Sequence, residues 1–293
     1  MTPTLVRQHV SHADSAPRVD LSARARDWSE IQERMLVPLY EAVYDRLDVG
    51  PATRLLGLRC GSGLALLMAA ARGAAITGVD SASPERLALA RERLLPDPAP
   101  GGTSGGPGTR ARPAVRLLDG PPADAAGAQP APYTLVTVFE PVGSLAGDSE
   151  GLGELLAGAL PRAARGAAVV LAGWGPPERC ATSSVLRVAA KLAEPLRGAA
   201  NWRPARRDDL EEVAQRAGLK PDGSGRVACP FGYAGLDSAV RGLLSTGLFD
   251  AAIAATDTKQ VDKELTEALH PHRRPDGTVW MPNVFRYLIA RVP

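Results

Sequence analysis

"LLGLRCGSGLALL", residues 55–67, is where the chain changes rhythm. The apolar run "TRLLGL" has the length of a buried strand. Gly61, Ser62 and Gly63 turn the chain, and "LALLMAAARG" continues as a helix that stops at Gly73. A strand that runs through glycines into a helix leaves free helix N–H groups beside the strand's carboxyl end. Glycine there lets another molecule approach the main chain. "AAITGVD" repeats the strand and ends in Asp80. Ser83 then acts as N-cap, with Pro84 at the first helical position of "PERLALARERLL". Strand, helix, strand, helix is how a doubly wound parallel sheet begins, and such sheets bind ligands beyond the carboxyl ends of their strands.

Downstream, "AVRLLDG" reads as a third strand, "YTLVTVFEP" as a fourth and "GAAVVLAGWG" as a fifth, with "GLGELLAGALPRA" a helix between the last two. Helices are expected over 182–196, 208–217, 236–244 and 258–269, with a strand in "RVACPFGY". "GTVWMPNVFRYLIARV" alternates apolar and polar residues as a final strand in which Pro282 marks an edge or a bulge. Residues 96–113, "PDPAPGGTSGGPGTRARP", read as a flexible insertion. Upstream, residues 27–47 carry Trp28, Ile31, Met35, Leu36, Leu39, Tyr40, Val43 and Tyr44 at helical spacing, and Pro38 should kink or split that helix. Residues 1–24 are polar and unpatterned, and read as a flexible arm ahead of one domain spanning 25–293.

Bulk properties exclude several classes. The 293 residues carry 34 basic and 32 acidic side chains, a net charge of +2, too balanced to imply a nucleic-acid or membrane partner. Only Lys191, Lys220, Lys259 and Lys263 among the bases are lysines, so a single arginine carries little functional weight by itself. Aromatic residues make up 4%, so the core must rest on Leu, Val and Ala. Cys60, Cys180 and Cys229 are far apart and form no CxxC, which fits neither a disulfide framework nor a zinc site. The four histidines, His9, His12, His270 and His272, lack a neighbouring third ligand, so no metal is expected. The first twenty residues hold no apolar run of the signal-peptide kind, and no stretch nears the roughly 18 apolar residues of a membrane span; a cytoplasmic protein is expected.

"LLGLRCGSG", "GVD", "VRLLDG", "YTLVTV" and "GAAVVLAGWG", in this order and spacing, resemble the class I S-adenosylmethionine-dependent methyltransferases. The helical entry, "WGPPERC" and "RRPDGTVWMPNVFRYLIAR" resemble its small-molecule branch, related to the ubiquinone and menaquinone biosynthesis enzymes. The resemblance implies a Rossmann-like α/β fold. Its seven-stranded sheet would be mostly parallel with an antiparallel C-terminal strand, and a helical acceptor-side cover would lie at about 194–257. It implies S-adenosylmethionine as cofactor and a small, hydrophobic or aromatic acceptor. Gly57, Arg59, Cys60, Gly61 and Gly63 would form the cofactor loop. Asp80 would hold the ribose, Ser81, Leu118 and Asp119 would flank the adenine, and Phe139 would face the methionine end. Glu140 is the candidate catalytic base, and Trp28, Tyr40, Trp202, Phe231 and Tyr233 would line the acceptor side.

Each of these residues also has a plainer reading. Trp28 and Tyr40 lie at the spacing of core residues, Cys60 is a small buried side chain, and Asp119 before Gly120 suits a turn. Two departures bear on the cofactor. Gly57 stands where the family has an acid that helps hold the cofactor's ammonium group, and Arg59 stands where it has the first loop glycine. A non-glycine residue costs energy at positive φ, and its side chain can take the cofactor's space. Two readings follow. In one, Arg59 turns aside or pairs with the cofactor carboxylate, and the protein is an enzyme. In the other, the site is degraded and the chain is a catalytically inactive binding or regulatory protein, with a homodimer or protein partner expected. A dinucleotide oxidoreductase fits less well, because no glycine stands three residues after Gly63.

Overall fold

The computed structural model describes residues 20–95, 114–126, 131–142, 149, 151–193 and 209–293. The insertion at 96–113, most of the expected arm and Trp202 lie outside the described residues.

Alternation along the strands divides the core. Leu55, Ile76, Leu135, Val170, Phe285 and Ile289 pack to one face of the sheet, while Leu56, Val79, Val136, Val169, Leu288 and Ala290 pack to the other. Neighbours in sequence point to opposite faces, as the strand period of two demands. The strands are β1 (Arg54–Leu58), β2 (Ala75–Val79), β3 (Val115–Leu118), β4 (Tyr133–Val142), β5 (Ala163–Trp174), β6 (Lys220–Ala228), β7 (Phe231–Tyr233), β8 (Val279–Met281) and β9 (Val284–Arg291). Seven of them form one sheet in the order β3-β2-β1-β4-β5-β9-β6, parallel throughout except for β9, which runs antiparallel to both neighbours. This is the mostly parallel seven-stranded sheet with an antiparallel C-terminal strand that the sequence implied.

Helices α2 (Val37–Arg46), α3 (Leu64–Ala71), α6 (Thr182–Ala193), α8 (Leu236–Leu244) and α10 (Thr258–Leu269) supply the first face of the core. Helices α5 (Leu152–Ala159) and α7 (Asp209–Arg216) supply the second. The remaining helices are α1 (Leu21–Asp27), α4 (Pro84–Leu94) and α9 (Asp250–Ala255). Ser83 caps α4 by accepting from the Arg86 N–H at 3.3 Å, as its place before Pro84 predicts.

Five differences from the sequence reading have local causes. The chain is already helical at Leu21, because Asp20 accepts from the Ala23 N–H at 3.0 Å and starts α1 within the stretch read as arm. The entry helix breaks before Pro38 and not at it. Proline cannot bond to the carbonyl four residues back, so residues Glu33–Leu36 tighten into a 3₁₀ turn behind the π-helical turn Trp28–Gln32. The final strand divides at Pro282 and Asn283: β8 pairs with β7 in a separate two-stranded sheet, and β9 crosses into the main one. Within the expected cover, α7 and β6 belong to the main sandwich, which leaves β7, α8 and α9 on the pocket side. β6 begins at Lys220 despite its Pro and two glycines, because it is the sheet edge and Gly225 makes room for the Tyr287 ring.

A Cβ at Gly78 in β2 would lie 2.5 Å from Leu66 Cδ1, 2.8 Å from Leu117 Cδ2 and 2.9 Å from Cys60 Sγ. Gly78→Ala is therefore expected to lower stability by about 1–3 kcal/mol in urea unfolding. A change within about 0.5 kcal/mol would show that α3 is not pressed onto this strand.

Candidate functional site

The strand order reverses between β1 and β4, and the loop after β1 opens into the crevice this creates. Arg59, Gly61 and Gly63 are all left-handed, with φ of 49°, 57° and 78°. Asp80, at the end of β2, holds the loop in place. Its Oδ2 accepts from the Gly61 N–H at 2.9 Å and its Oδ1 from the Ala82 N–H at 3.0 Å, while the Cys60 N–H donates to the Val79 carbonyl at 3.2 Å. Gly63 has a different task. A Cβ there would meet Ala90 and Leu94 at 3.0 and 3.1 Å, so this glycine seats α3 against α4.

Behind the loop lies a buried polar cluster. Glu33 is 3% exposed, and its carboxylate accepts from the Ser62 hydroxyl, from the Leu64 N–H at 3.3 Å and from Arg93 at 3.0 Å. Arg93 also donates to the Ser62 carbonyl at 2.7 Å and to the Ser29 hydroxyl at 2.7 Å. The ion pair with Arg93 is what makes a buried carboxylate tolerable here. Glu33 thereby caps the start of α3, where Gly63 has no side chain to do so. The indole of Trp28 packs beside it, held by the Arg86 guanidinium 4.2 Å above the ring, while Arg86 donates to the Ser245 carbonyl at 2.7 Å. Trp28 Nε1 is buried and has no hydrogen-bond partner among the described residues.

A cavity of about 500 Å³ opens over this floor, lined at the strand ends by Gly57, Arg59, Cys60, Gly61, Asp80, Phe139 and Glu140, and on the entry side by Trp28, Glu33, Leu36 and Tyr40. A second chamber of about 130 Å³ adjoins it, with Trp174, Phe231, Phe285, Val142 and Leu248 as apolar walls and Gln32 at its edge. Trp28, Leu36, Arg59 and Glu140 line both spaces. Arg59 Nη1 donates to Glu140 Oε2 at 3.1 Å, so the guanidinium crosses from β1 to the end of β4 and pairs at the junction of the two cavities. The larger cavity stays open despite it.

The residues singled out in the sequence divide accordingly. Gly57, Arg59, Cys60, Gly61, Asp80, Phe139, Glu140, Trp28 and Tyr40 meet around the larger cavity, and Phe231 lines the smaller one. Gly63, Ser81, Leu118 and Asp119 line neither; the wall beyond Asp80 is built instead from Ala82, Ser83, Pro84, Glu85 and Arg86. Tyr233 also lines neither, because its hydroxyl turns inward to donate to Gln32 Oε1 at 2.9 Å. Sequence reading missed Glu33, Arg86 and Arg93. Glu33 did leave a signal: it stands three residues before Leu36 and seven before Tyr40, an acid in step with the apolar face.

Electrostatics sort the ionisable groups. Burial pushes the Asp80 carboxyl above its ordinary range; the Gly61 and Ala82 N–H groups pull it back, and Glu140 adds to the rise. Burial, with Glu33 nearby, holds the Tyr40 hydroxyl well above the phenol range. Burial likewise raises the Cys60 thiol, with Asp80 and Glu33 adding to it, so Cys60 is an inert wall residue and not a nucleophile. Among the described residues no helix is long and apolar enough to cross a membrane.

No family model matches the chain, and no curated protein does. Solved structures do match it in fold. A candidate methyltransferase from Bacillus halodurans superimposes with a TM-score of 0.50 at 14% identity, over 87% of this chain and 98% of that one. YjhP from E. coli gives 0.50 at 19% identity, over 92% and 99%. The chain shares the Rossmann-like methyltransferase fold of the Bacillus halodurans structure.

A carboxyl whose folded pKa lies above its unfolded one favours the fold while protonated. That contribution is complete below the unfolded value and disappears as pH rises through the folded one. Ionised Asp80 therefore weighs against the fold at neutral pH. Thermal melts between about pH 4 and about pH 7 should show wild type losing stability relative to Asp80→Asn as pH rises. A constant gap between the two would mean that burial does not raise this group.

Proposed function

We propose that the larger cavity binds S-adenosylmethionine and that the protein transfers a methyl group to a small, apolar or aromatic acceptor held in the adjoining chamber. The observation that carries this reading is the Asp80 carboxylate bonded to Gly61 on the cavity wall. A volume of about 500 Å³ suits a nucleoside joined to an amino acid, within the usual range of small-molecule sites. Each Asp80 oxygen accepts one backbone N–H and keeps a lone pair for a ribose hydroxyl. A side chain at Gly61 would be strained at a φ of 57°, and its Cβ would press on Trp28 Nε1 at 3.3 Å. Close approach of a ligand to the main chain explains both constraints.

When bound, the cofactor supplies a sulfonium methyl group that is already activated toward nucleophiles. The chain's own part is placement and exclusion of water. Phe139, Tyr40 and Leu36 form an apolar side, with the Tyr40 and Phe139 ring centres 4.8 Å apart. Trp174, Phe231 and Phe285 shape the chamber as a slot for a flat group, with Trp174 and Phe285 ring centres 4.6 Å apart. Its volume, near that of engineered cavities that hold benzene, admits about one ring. Glu140, at the junction, is placed to take a proton from an acceptor that needs deprotonation. Arg59 sets the position of that carboxylate, and directing the guanidinium there keeps it off the glycine loop.

Calorimetry with S-adenosylhomocysteine tests the cofactor. Wild type should bind with a Kd on the order of micromolar, and Gly61→Ala should abolish binding. No heat from wild type would overturn the reading. With a panel of phenolic acceptors, Glu140→Gln should lower kcat about 10²-fold while leaving the cofactor Kd within about twofold. Binding by wild type without transfer to any acceptor would favour the non-catalytic reading.

A further inference from the structure

Resting on that cofactor reading, we propose that Glu33 and Trp28, both from the entry helix, clamp the amino-acid end of the cofactor: Glu33 takes the α-ammonium and Trp28 Nε1 the α-carboxylate. The acid missing from β1 is thereby replaced from another element.

Three observations converge on one spot. A Cβ at Gly61 would have Trp28 Nε1 at 3.3 Å and Glu33 Oε1 at 3.5 Å as its nearest neighbours, so a donor and an acceptor face the bare Cα of this glycine. Both residues line the larger cavity. The donor is a buried N–H without a partner among the described residues, a state that costs energy unless a ligand supplies the acceptor. On the acceptor side, Glu33 Oε2 is committed to Ser62 and Arg93, whereas Oε1 has only the Leu64 N–H at 3.3 Å and can accept again.

Position 57 cannot perform this task. It is glycine, and the volume beside it is filled by Leu66, whose Cδ2 would lie 2.9 Å from a Cβ there. The polarity of the clamp follows from its two atoms: Trp28 Nε1 can only donate and so takes the carboxylate, whereas Glu33 Oε1 can accept and so takes the ammonium. A zwitterion laid across Gly61 then satisfies the orphan indole N–H and the spare carboxylate oxygen together. Arg86 above the indole and Arg93 beside Glu33 hold both groups in place before any ligand arrives.

Calorimetry with three adenosyl thioethers tests the clamp: S-adenosylhomocysteine, its analogue lacking the α-amino group, and 5′-methylthioadenosine, which lacks the whole amino-acid end. Wild type should bind the first at least about tenfold tighter than the third. Glu33→Gln should weaken S-adenosylhomocysteine about tenfold and leave the other two within about twofold. Trp28→Phe keeps the ring and removes only the N–H. It should weaken both carboxylate-bearing ligands about fivefold and spare 5′-methylthioadenosine. Equal loss for all three ligands in Glu33→Gln would make Glu33 purely structural and overturn the assignment. If Glu33→Gln does not fold, Trp28→Phe alone decides: an unchanged preference for the carboxylate-bearing ligands overturns the clamp. Wild type that binds all three alike overturns the clamp but keeps the nucleoside site. Wild type that binds none overturns both.

Discussion

The site depends on one hydrogen bond, from the backbone of Gly61 to the carboxylate of Asp80 at 2.9 Å. It ties the loop after β1 to the end of β2, and it does so with a group whose burial already strains its charge. The loop that presents this N–H is left-handed at Arg59, Gly61 and Gly63. Two of the three are glycines and meet the requirement freely. Arg59 does not, and a non-glycine residue in this region costs about 1 kcal/mol or more. Its salt bridge to Glu140 gives the strained residue a fixed direction, across the crevice and away from the loop floor.

Below that bond, the buried set of Glu33, Arg93, Ser62 and Ser29 is a costly way to support a loop. Burying an ion pair rarely stabilises a fold more than apolar packing would, whereas removing one partner leaves an uncompensated charge. Its value lies in placement. Every member touches the glycine loop or the entry helix, so the wall of the cavity and its floor are held as one piece. Trp28, Ser29 and Glu33 all come from the irregular turns between Trp28 and Leu36, so one short segment supplies this side of the cluster.

The frame was legible because it rests on short-range signals. The strand period of two, Ser83 before Pro84, and glycines at the first turn each act over a few residues, and each reappears in place. What stayed hidden depends on distant partners. Lys220 to Gly225 lies ahead of the strand expected in "RVACPFGY", yet pairing with β9 and the ring of Tyr287 over Gly225 draw it into β6. Tyr233 reads as a pocket aromatic, but Gln32 draws its hydroxyl inward. Arg59 was visible as a departure, whereas the direction of its guanidinium depended on Glu140, 81 positions further along the chain. Glu33 stood in step with the apolar face, but its purpose appears only when Arg93 and Ser62 arrive beside it.

Trp28 forms a wall common to both compartments, and its ring is held by Arg86, which is itself tied to the carbonyl of Ser245 after α8. Arg24 with Asp250, at 2.9 Å, and Arg241 with Asp27 tie the same entry segment to α9 and α8. A single side chain thus bounds both compartments. Under the proposed reading, cofactor and acceptor would lie against this one wall, so any displacement of Trp28 would reach both at once.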